Sequence, residues 1–308
     1  MEGQILIPSF RRDQPVAGIR RGKVIAILAG VVYVYLQFPA IADPLSPPSQ
    51  GIASCNESVP SCDAHNNGFD YTRPQTNLGL RLLYQDSSSA SARTERETLF
   101  LRWSQKIDLA SGWKLGLLGQ LPFSNQEVLP YGPPGAVQSA GVGDTTAQVA
   151  LTHALSQRWA FGFGARFVAP TAEDNLGSGK WQIMPGAGVR ISLPELGPDS
   201  YFSPVARYAI SVAGNSTRRD INEMQIAPTL NIGLPDRWFV SLFPSNDVRL
   251  NYGRPSSGQT GHLFLPFDAA VGRELKSGLV VTLEMSAPLI KDYPVYNFKS
   301  QLTVSQKF

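Results

Sequence analysis

The sequence predicts an all-β fold: a transmembrane, antiparallel, up-and-down β-barrel of about 12 strands, preceded by an N-terminal signal peptide. Three observations carry that prediction. From residue 77 onward, apolar and polar residues alternate through segment after segment, the two-residue period of a strand with one greasy and one wet face. Every second connection between those segments is short. Charged residues make up only 17% of the chain, against roughly 25% in soluble domains, yet mean hydropathy is just −0.10. A barrel accounts for both values, because half of each strand faces lipid and half faces water.

Residues 1–42 read as the signal. Arg20-Arg21-Gly22-Lys23 precedes an apolar run, 24–38, that is the length of a signal core and short for a spanning helix. Ala40-Ile41-Ala42 follows as a small-x-small cleavage box, so the mature chain is expected to begin at Asp43. The basic excess lies in this segment, in Arg11, Arg12, Arg20, Arg21 and Lys23. The remainder is about neutral, which excludes nucleic acid as a partner. Residues 43–76, with Pro44, Pro47, Pro48 and Pro60, read as an irregular periplasmic leader or a plug for the lumen. Its Cys55 and Cys62 are expected to form a disulfide in an oxidising compartment; with no second pair they make a poor zinc spacing, and no metal or cofactor is expected.

The barrel is expected over residues 77–308. Segment 77–85 sets Leu78, Leu80, Leu82 and Tyr84 against Arg81; 97–107 sets Leu99, Leu101 and Trp103 against Arg102, Ser104 and Lys106. Segment 113–121 opposes Leu115 and Leu117 to Lys114 and Gln120; 144–155 opposes Ala147, Val149 and Leu151 to Asp144, Gln148 and Thr152. Segment 159–168 carries Phe161, Phe163 and Phe167 against Arg166, and 180–193 carries Trp181, Ile183, Val189 and Ile191 against Lys180, Gln182 and Arg190. Segment 201–212 opposes Phe202, Tyr208, Ile210 and Val212 to Arg207, and 222–234 opposes Ile226, Leu230 and Ile232 to Glu223, Gln225 and Thr229. Segment 238–243 is the weakest. Segment 263–271 sets Leu265, Phe267 and Val271 against Asp268, and 279–287 sets Val281, Leu283 and Met285 against Thr282 and Glu284. In the last segment, 293–308, Tyr296, Phe298, Leu302, Val304 and Phe308 share the greasier face and Lys299 lies on the polar one.

The tight connections are Ala110-Ser111-Gly112, Ser156-Gln157-Arg158, the turn through Glu195-Leu196-Gly197-Pro198, Pro235-Asp236-Arg237 and Lys276-Ser277-Gly278. The others are longer, with 122–143 and 244–262 the longest. Outer-membrane barrels have this asymmetry of short periplasmic turns and longer outer loops. Trp113, Trp159 and Trp238 each begin the segment after a tight turn, as a membrane-interface girdle requires.

Motifs of other chemistry fail on inspection. Gly177-Ser178-Gly179-Lys180 resembles a phosphate loop, but Asp174 stands where its first Gly belongs and Trp181 where Ser or Thr belongs. His153 with Ser156 lacks an orienting acid, so no catalytic residue is expected, and His65 and His262 stand apart. The distributed chemistry lies on the polar face: Arg81, Arg102, Asp144, Arg166, Arg190, Arg207, Glu223, Asp268, Glu284 and Lys299 are candidates to line the lumen and set selectivity. The same residues read equally well as a mutually paired network that stiffens the wall.

Two resemblances add to this. The final strand ends on Phe308 with no polar tail, which resembles the assembly signal of bacterial outer-membrane barrels; it implies an outer-membrane location and, as partners, the barrel assembly machinery and outer-membrane lipid. Asp70-Tyr71-Thr72-Arg73-Pro74, Trp113-Lys114-Leu115, Leu121-Pro122-Phe123, Gly141-Val142-Gly143-Asp144, and Pro170-Thr171 through Leu176-Gly177-Ser178-Gly179-Lys180-Trp181 occur in the order of one family. They resemble the outer-membrane proteins grouped under a putative MetA pathway of phenol degradation. That resemblance implies a barrel that takes up small organic, including aromatic, solutes. The expectation is a passive channel rather than an enzyme; the alternatives are a lipid-modifying enzyme and a closed structural or adhesin barrel.

Overall fold

The structure, a computed structural model, describes Gly68 and residues 70–308 apart from Pro134 and Ser257. The expected signal peptide, the Cys55–Cys62 pair, His65 and most of the leader lie outside the described residues. Among the described residues no helix is long and apolar enough to cross a membrane; the strands do the crossing.

The strands are β1 (Asn77–Ser88), β2 (Ala92–Asp108), β3 (Trp113–Pro130), β4 (Val137–Val142), β5 (Thr145–Ala154), β6 (Trp159–Ala169) and β7 (Lys180–Ser192). They continue as β8 (Tyr201–Gly214), β9 (Asn222–Gly233), β10 (Trp238–Leu242), β11 (Val248–Asn251), β12 (Leu263–Glu274), β13 (Leu279–Lys291) and β14 (Phe298–Lys307). Neighbours pair antiparallel in chain order, and β14 pairs β1 from Asn77↔Lys307 to Asp86↔Phe298, which closes the ring. Two staves are interrupted. Both β4 and β5 pair with β3, one above the other. Likewise β10 and β11 both run between β9 and β12. The fourteen segments thus make the twelve staves that the alternation predicts, and closure leaves no unpaired edge for lipid to meet.

Facing follows the predicted parity. On β13, Met285 is 51% exposed and its neighbour Glu284 is fully buried. Leu78, Leu80, Leu99, Leu101, Phe163, Phe167 and Phe267 are likewise exposed on the outside. In water such a surface would be far beyond the apolar patches of soluble monomers; in a bilayer it is the lipid-facing band. Its height is legible from β7. Trp181 stands at one end of that strand, and Ile191, which pairs with Trp159, at the other. Ten residues at about 3.3 Å each, tilted about 40°, span about 25 Å, the height of an outer-membrane apolar band.

Strand lengths differ from those expected. Segment 122–143 is mostly wall: β3 runs on to Pro130, and β4 climbs beside it. The first long connection shrinks to residues 89–91, and β1 and β2 rise together past the membrane zone. Above the lipid both faces of a strand are wet, so the alternation that marks a strand fades there while its hydrogen-bond ladder continues. The turns at the opposite end are tight as expected, with Ser111 and Asp236 in the left-handed region at φ 60 and 55. A second difference is Tyr296. It is fully buried and stacks edge-on against Phe264 inside the barrel rather than facing out.

Candidate functional site in the barrel lumen

Among the described residues, two segments fold into the lumen. Residues 70–76 enter at the end carrying the tight turns. Asp70 accepts bonds from the Thr72 amide at 2.9 Å and its hydroxyl at 2.6 Å, making a compact turn. Arg190 near the end of β7 meets the same carboxylate at 3.4 Å. The Ser104 hydroxyl on β2 donates to the Gln75 carbonyl at 2.8 Å. Gly116 on β3 lies so close to Pro74 that a Cβ there would sit 2.9 Å from the Pro74 Cβ. The second segment is 243–247, where the wall between β10 and β11 dips inward. The two meet in the lumen, where the Tyr71 hydroxyl donates to Asn246 Oδ1 at 3.2 Å.

The inward dip is held by one lysine. Lys299 on β14 reaches Asp247 at 2.6 Å, Glu284 at 2.5 Å and Asp268 at 3.6 Å. Ser245 donates its hydroxyl to Glu284 at 2.7 Å and its amide to Asp268 at 3.3 Å. Gln301 donates to the other oxygen of Glu284 at 3.0 Å, and Arg249 takes the second oxygen of Asp247 at 3.1 Å. Three carboxylates this close repel one another, so a central cation with well-aimed donors is what makes their burial tolerable.

Across the lumen the charges are arranged differently. Arg81 on β1, Arg102 on β2, Arg166 on β6 and Arg207 on β8 line one cavity of about 220 Å³ together with Tyr71, Asn246 and Asp247. Arg166 and Arg207 each donate Nε to a glutamine carbonyl, Gln148 at 3.0 Å and Gln225 at 2.6 Å. Arg81 lies over the Phe100 ring at 5.9 Å, with its Nε buried and unpaired. Among the described residues none of the four meets a carboxylate within 4 Å. Burial pushes the Tyr71 phenol up, but the guanidiniums of Arg166, Arg207, Arg102 and Arg81 outweigh it and hold the phenol below its ordinary value.

The ten lumen candidates therefore separate. Arg81, Arg102, Arg166 and Arg207 surround the cavity. Asp268, Glu284 and Lys299 form the carboxylate cluster. Arg190 grips Asp70, and Glu223 lies toward the outer end with Arg249 at 3.5 Å and the Tyr293 hydroxyl at 3.4 Å. Asp144 departs from its expected role. Its carboxylate is spent on the loop between β6 and β7, accepting from the Ser178 amide at 2.6 Å, the Ser178 hydroxyl at 2.7 Å and the Ala172 amide at 3.3 Å. Tyr71, Asn246, Asp247, Arg249 and Tyr293 are the lumen residues that sequence reasoning missed, because they sit in stretches read as leader or loop.

At the tight-turn rim, Trp113, Trp159 and Trp238 are the first residues of β3, β6 and β10. His153 stacks on Trp113 at 4.9 Å, and Arg273 lies over Trp238 at 5.3 Å. The Ser156 hydroxyl accepts the Arg158 and Trp159 amides at 3.2 and 3.1 Å, so it shapes the turn while His153 serves the aromatic rim. His262 Nδ1 lies 2.6 Å from the Asn251 carbonyl. Phe308 is 82% exposed.

The profile of the family described as "Putative MetA-pathway of phenol degradation" matches residues 73–243. The chain belongs to this family. No curated protein matches it in sequence. Among solved structures, an outer membrane channel from Pseudomonas putida F1 is similar with a TM-score of 0.62 at 17% identity, over 80% of this chain and 100% of that one. That likeness is one of fold. The beta domain of a Bordetella autotransporter, Brka, has a TM-score of 0.45 at 14% identity, over 76% of this chain and 100% of that one. The NanC porin has 0.44 at 11%, over 75% and 100%.

Three of the sequence pieces that resemble the family fall on two structural devices. Asp70 to Pro74 is the inward segment described above. The Gly141 to Asp144 and Leu176 to Trp181 pieces form the Asp144–Ser178 clasp, where a Cβ on Gly177 would stand 2.3 Å from the Asp144 carboxylate. A closed barrel with an apolar exterior belongs in the bacterial outer membrane.

Proposed function

We propose that the protein is a passive outer-membrane channel for small organic solutes. The carrying observation is the polar cavity inside a lipid-facing barrel, walled by charged side chains and narrowed by two inward segments that touch through Tyr71 and Asn246. A barrel built only for rigidity has no need of unpaired guanidiniums around an internal space, since buried charge is costly unless paired. Twelve staves lie between the eight that side chains can fill and the sixteen that leave an open water channel. The inserted segments therefore decide what passes, and the size limit is expected to be low. No group in this reading performs covalent chemistry. Aromatic solutes fit the reading through the family's description. A swelling assay in liposomes carrying the purified barrel tests it: small solutes should drive swelling, and a disaccharide should not. Liposomes that fail to swell with every small solute would refute the channel.

A further inference from the structure

Among the described residues the cavity carries an excess of positive charge that no carboxylate corrects. Arg81, Arg102, Arg166 and Arg207 bring four permanent positive charges to one space, because a guanidinium does not give up its proton in a protein. The carboxylates nearby are committed elsewhere. Asp70 is gripped by Arg73 at 3.3 Å and Arg190 at 3.4 Å. Asp247, which lines the same cavity, is held by Lys299 at 2.6 Å and Arg249 at 3.1 Å. Glu284 is taken by Lys299, Ser245 and Gln301.

The arginines are also posed. The glutamine carbonyls that accept Nε of Arg166 and Arg207 fix those two groups, while their terminal N–H groups make no bond among the described residues. The guanidinium groups of Arg81 and Arg102 make no hydrogen bond to the described residues, and Arg81 Nε is buried without a partner. Planar forks with free donors are the natural receptors of a carboxylate. The volume of about 220 Å³ lies below that of pockets for drug-sized ligands, so the occupant is small.

We infer that this cavity is a binding site for a small organic anion, its carboxylate held among Arg81, Arg102, Arg166 and Arg207. The anion supplies the counter-charge that the wall lacks. Passage of that anion through the barrel rests on the channel reading; its binding does not.

Calorimetric titration of the purified barrel in detergent tests the site with three probes of one size: benzoate, benzyl alcohol and benzylammonium. Benzoate is expected to bind at least about tenfold more tightly than benzyl alcohol, to weaken as sodium chloride rises, and benzylammonium is expected not to bind. Arg81→Gln and Arg102→Gln should each weaken benzoate about fivefold or more. Arg158→Gln, which removes an exposed positive charge paired with Glu195 at 2.7 Å in a turn, should leave it unchanged. Equal binding of benzyl alcohol and benzoate would overturn the site, as would an equal loss in Arg158→Gln. The probe comparison on the parent protein decides the matter even if an arginine variant fails to fold. Benzoate binding without liposome swelling by any solute would remove the channel and leave the site. Swelling with no preference for benzoate would remove the site and leave the channel.

Discussion

The lumen holds two groups of charge built on opposite principles. Around Lys299, three carboxylates from β12, β13 and the 243–247 segment share that lysine and a set of donors, with Arg249 a second cation on Asp247, and nearly every oxygen is used. Around Tyr71, four arginines from β1, β2, β6 and β8 share a space, and among the described residues none of them meets a carboxylate within 4 Å. The first group is buried in one wall of the same cavity, which Lys299 and Asp247 also line, and tethers a piece of chain. The second borders a cavity and is tethered only by two glutamines. Asp247 and Arg249 apart, the charged residues of both groups come from one alternation of polar residues along the inward face. Inward charge is therefore not one property: paired, it locks the wall; unpaired beside a cavity, it recognises.

The largest effect expected of this contrast is at Lys299. Lys299→Met leaves Asp268 and Glu284 crowded with no cation and Asp247 with Arg249 alone, and should cost about 3–5 kcal/mol in equilibrium unfolding from lipid vesicles. A cost near zero would mean the cluster holds nothing. Next is a charge moved to the other face of the same strand. Leu283→Arg, beside Glu284 but facing lipid, should cost about 2–4 kcal/mol in the same measurement if it lies near the bilayer midplane; a neutral result would take β13 out of the membrane.

In the arginine group the sign should reverse. Arg102→Met removes one of four mutually repelling charges and breaks no ion pair, so stability should hold or rise by about 1 kcal/mol. In single-channel recordings under a salt gradient, the same variant should shift the reversal potential toward cations. Destabilisation comparable to that of Lys299→Met would erase the distinction between the groups. The smallest effect in vitro is expected at a residue outside both. Deleting Phe308, 82% exposed, should change unfolding by no more than about 0.5 kcal/mol, while outer-membrane yield in cells falls. Equal losses in both assays would deny it an assembly role.

Much of this barrel is legible along the chain, and the failures have physical causes. Leu78 against Arg81, or Met285 against Glu284, is a choice made by parity, and the structure keeps it. Tyr296 breaks parity because it lies before β14 begins, where no ladder fixes its direction, and it turns inward to Phe264 and Ser286. Thr282 does face inward, but it is buried against neighbours at 4% exposure rather than bordering open water. Pro244-Ser245-Asn246-Asp247 has the composition of a turn whether it points out or in; its direction depends on Lys299, 52 residues away from Asp247. Asp144 alternates correctly, yet its place at the break between β4 and β5 hands it to Ser178 rather than to the lumen.

The sequence by itself determined a chain of two-faced strands, their number, the end that carries the tight turns and the tryptophans at that rim. Each of these is a property of neighbouring residues, set by the two-residue period of the strand and by local turn chemistry. Only the tertiary structure decided which inward charges meet. Closure of β14 on β1 fixes the register of the staves, and two segments outside the ladder then fold into the space they enclose. Whether an arginine finds a carboxylate or a cavity depends on residues far along the chain, brought near by strand pairing and inward folding, and no local pattern records that distance.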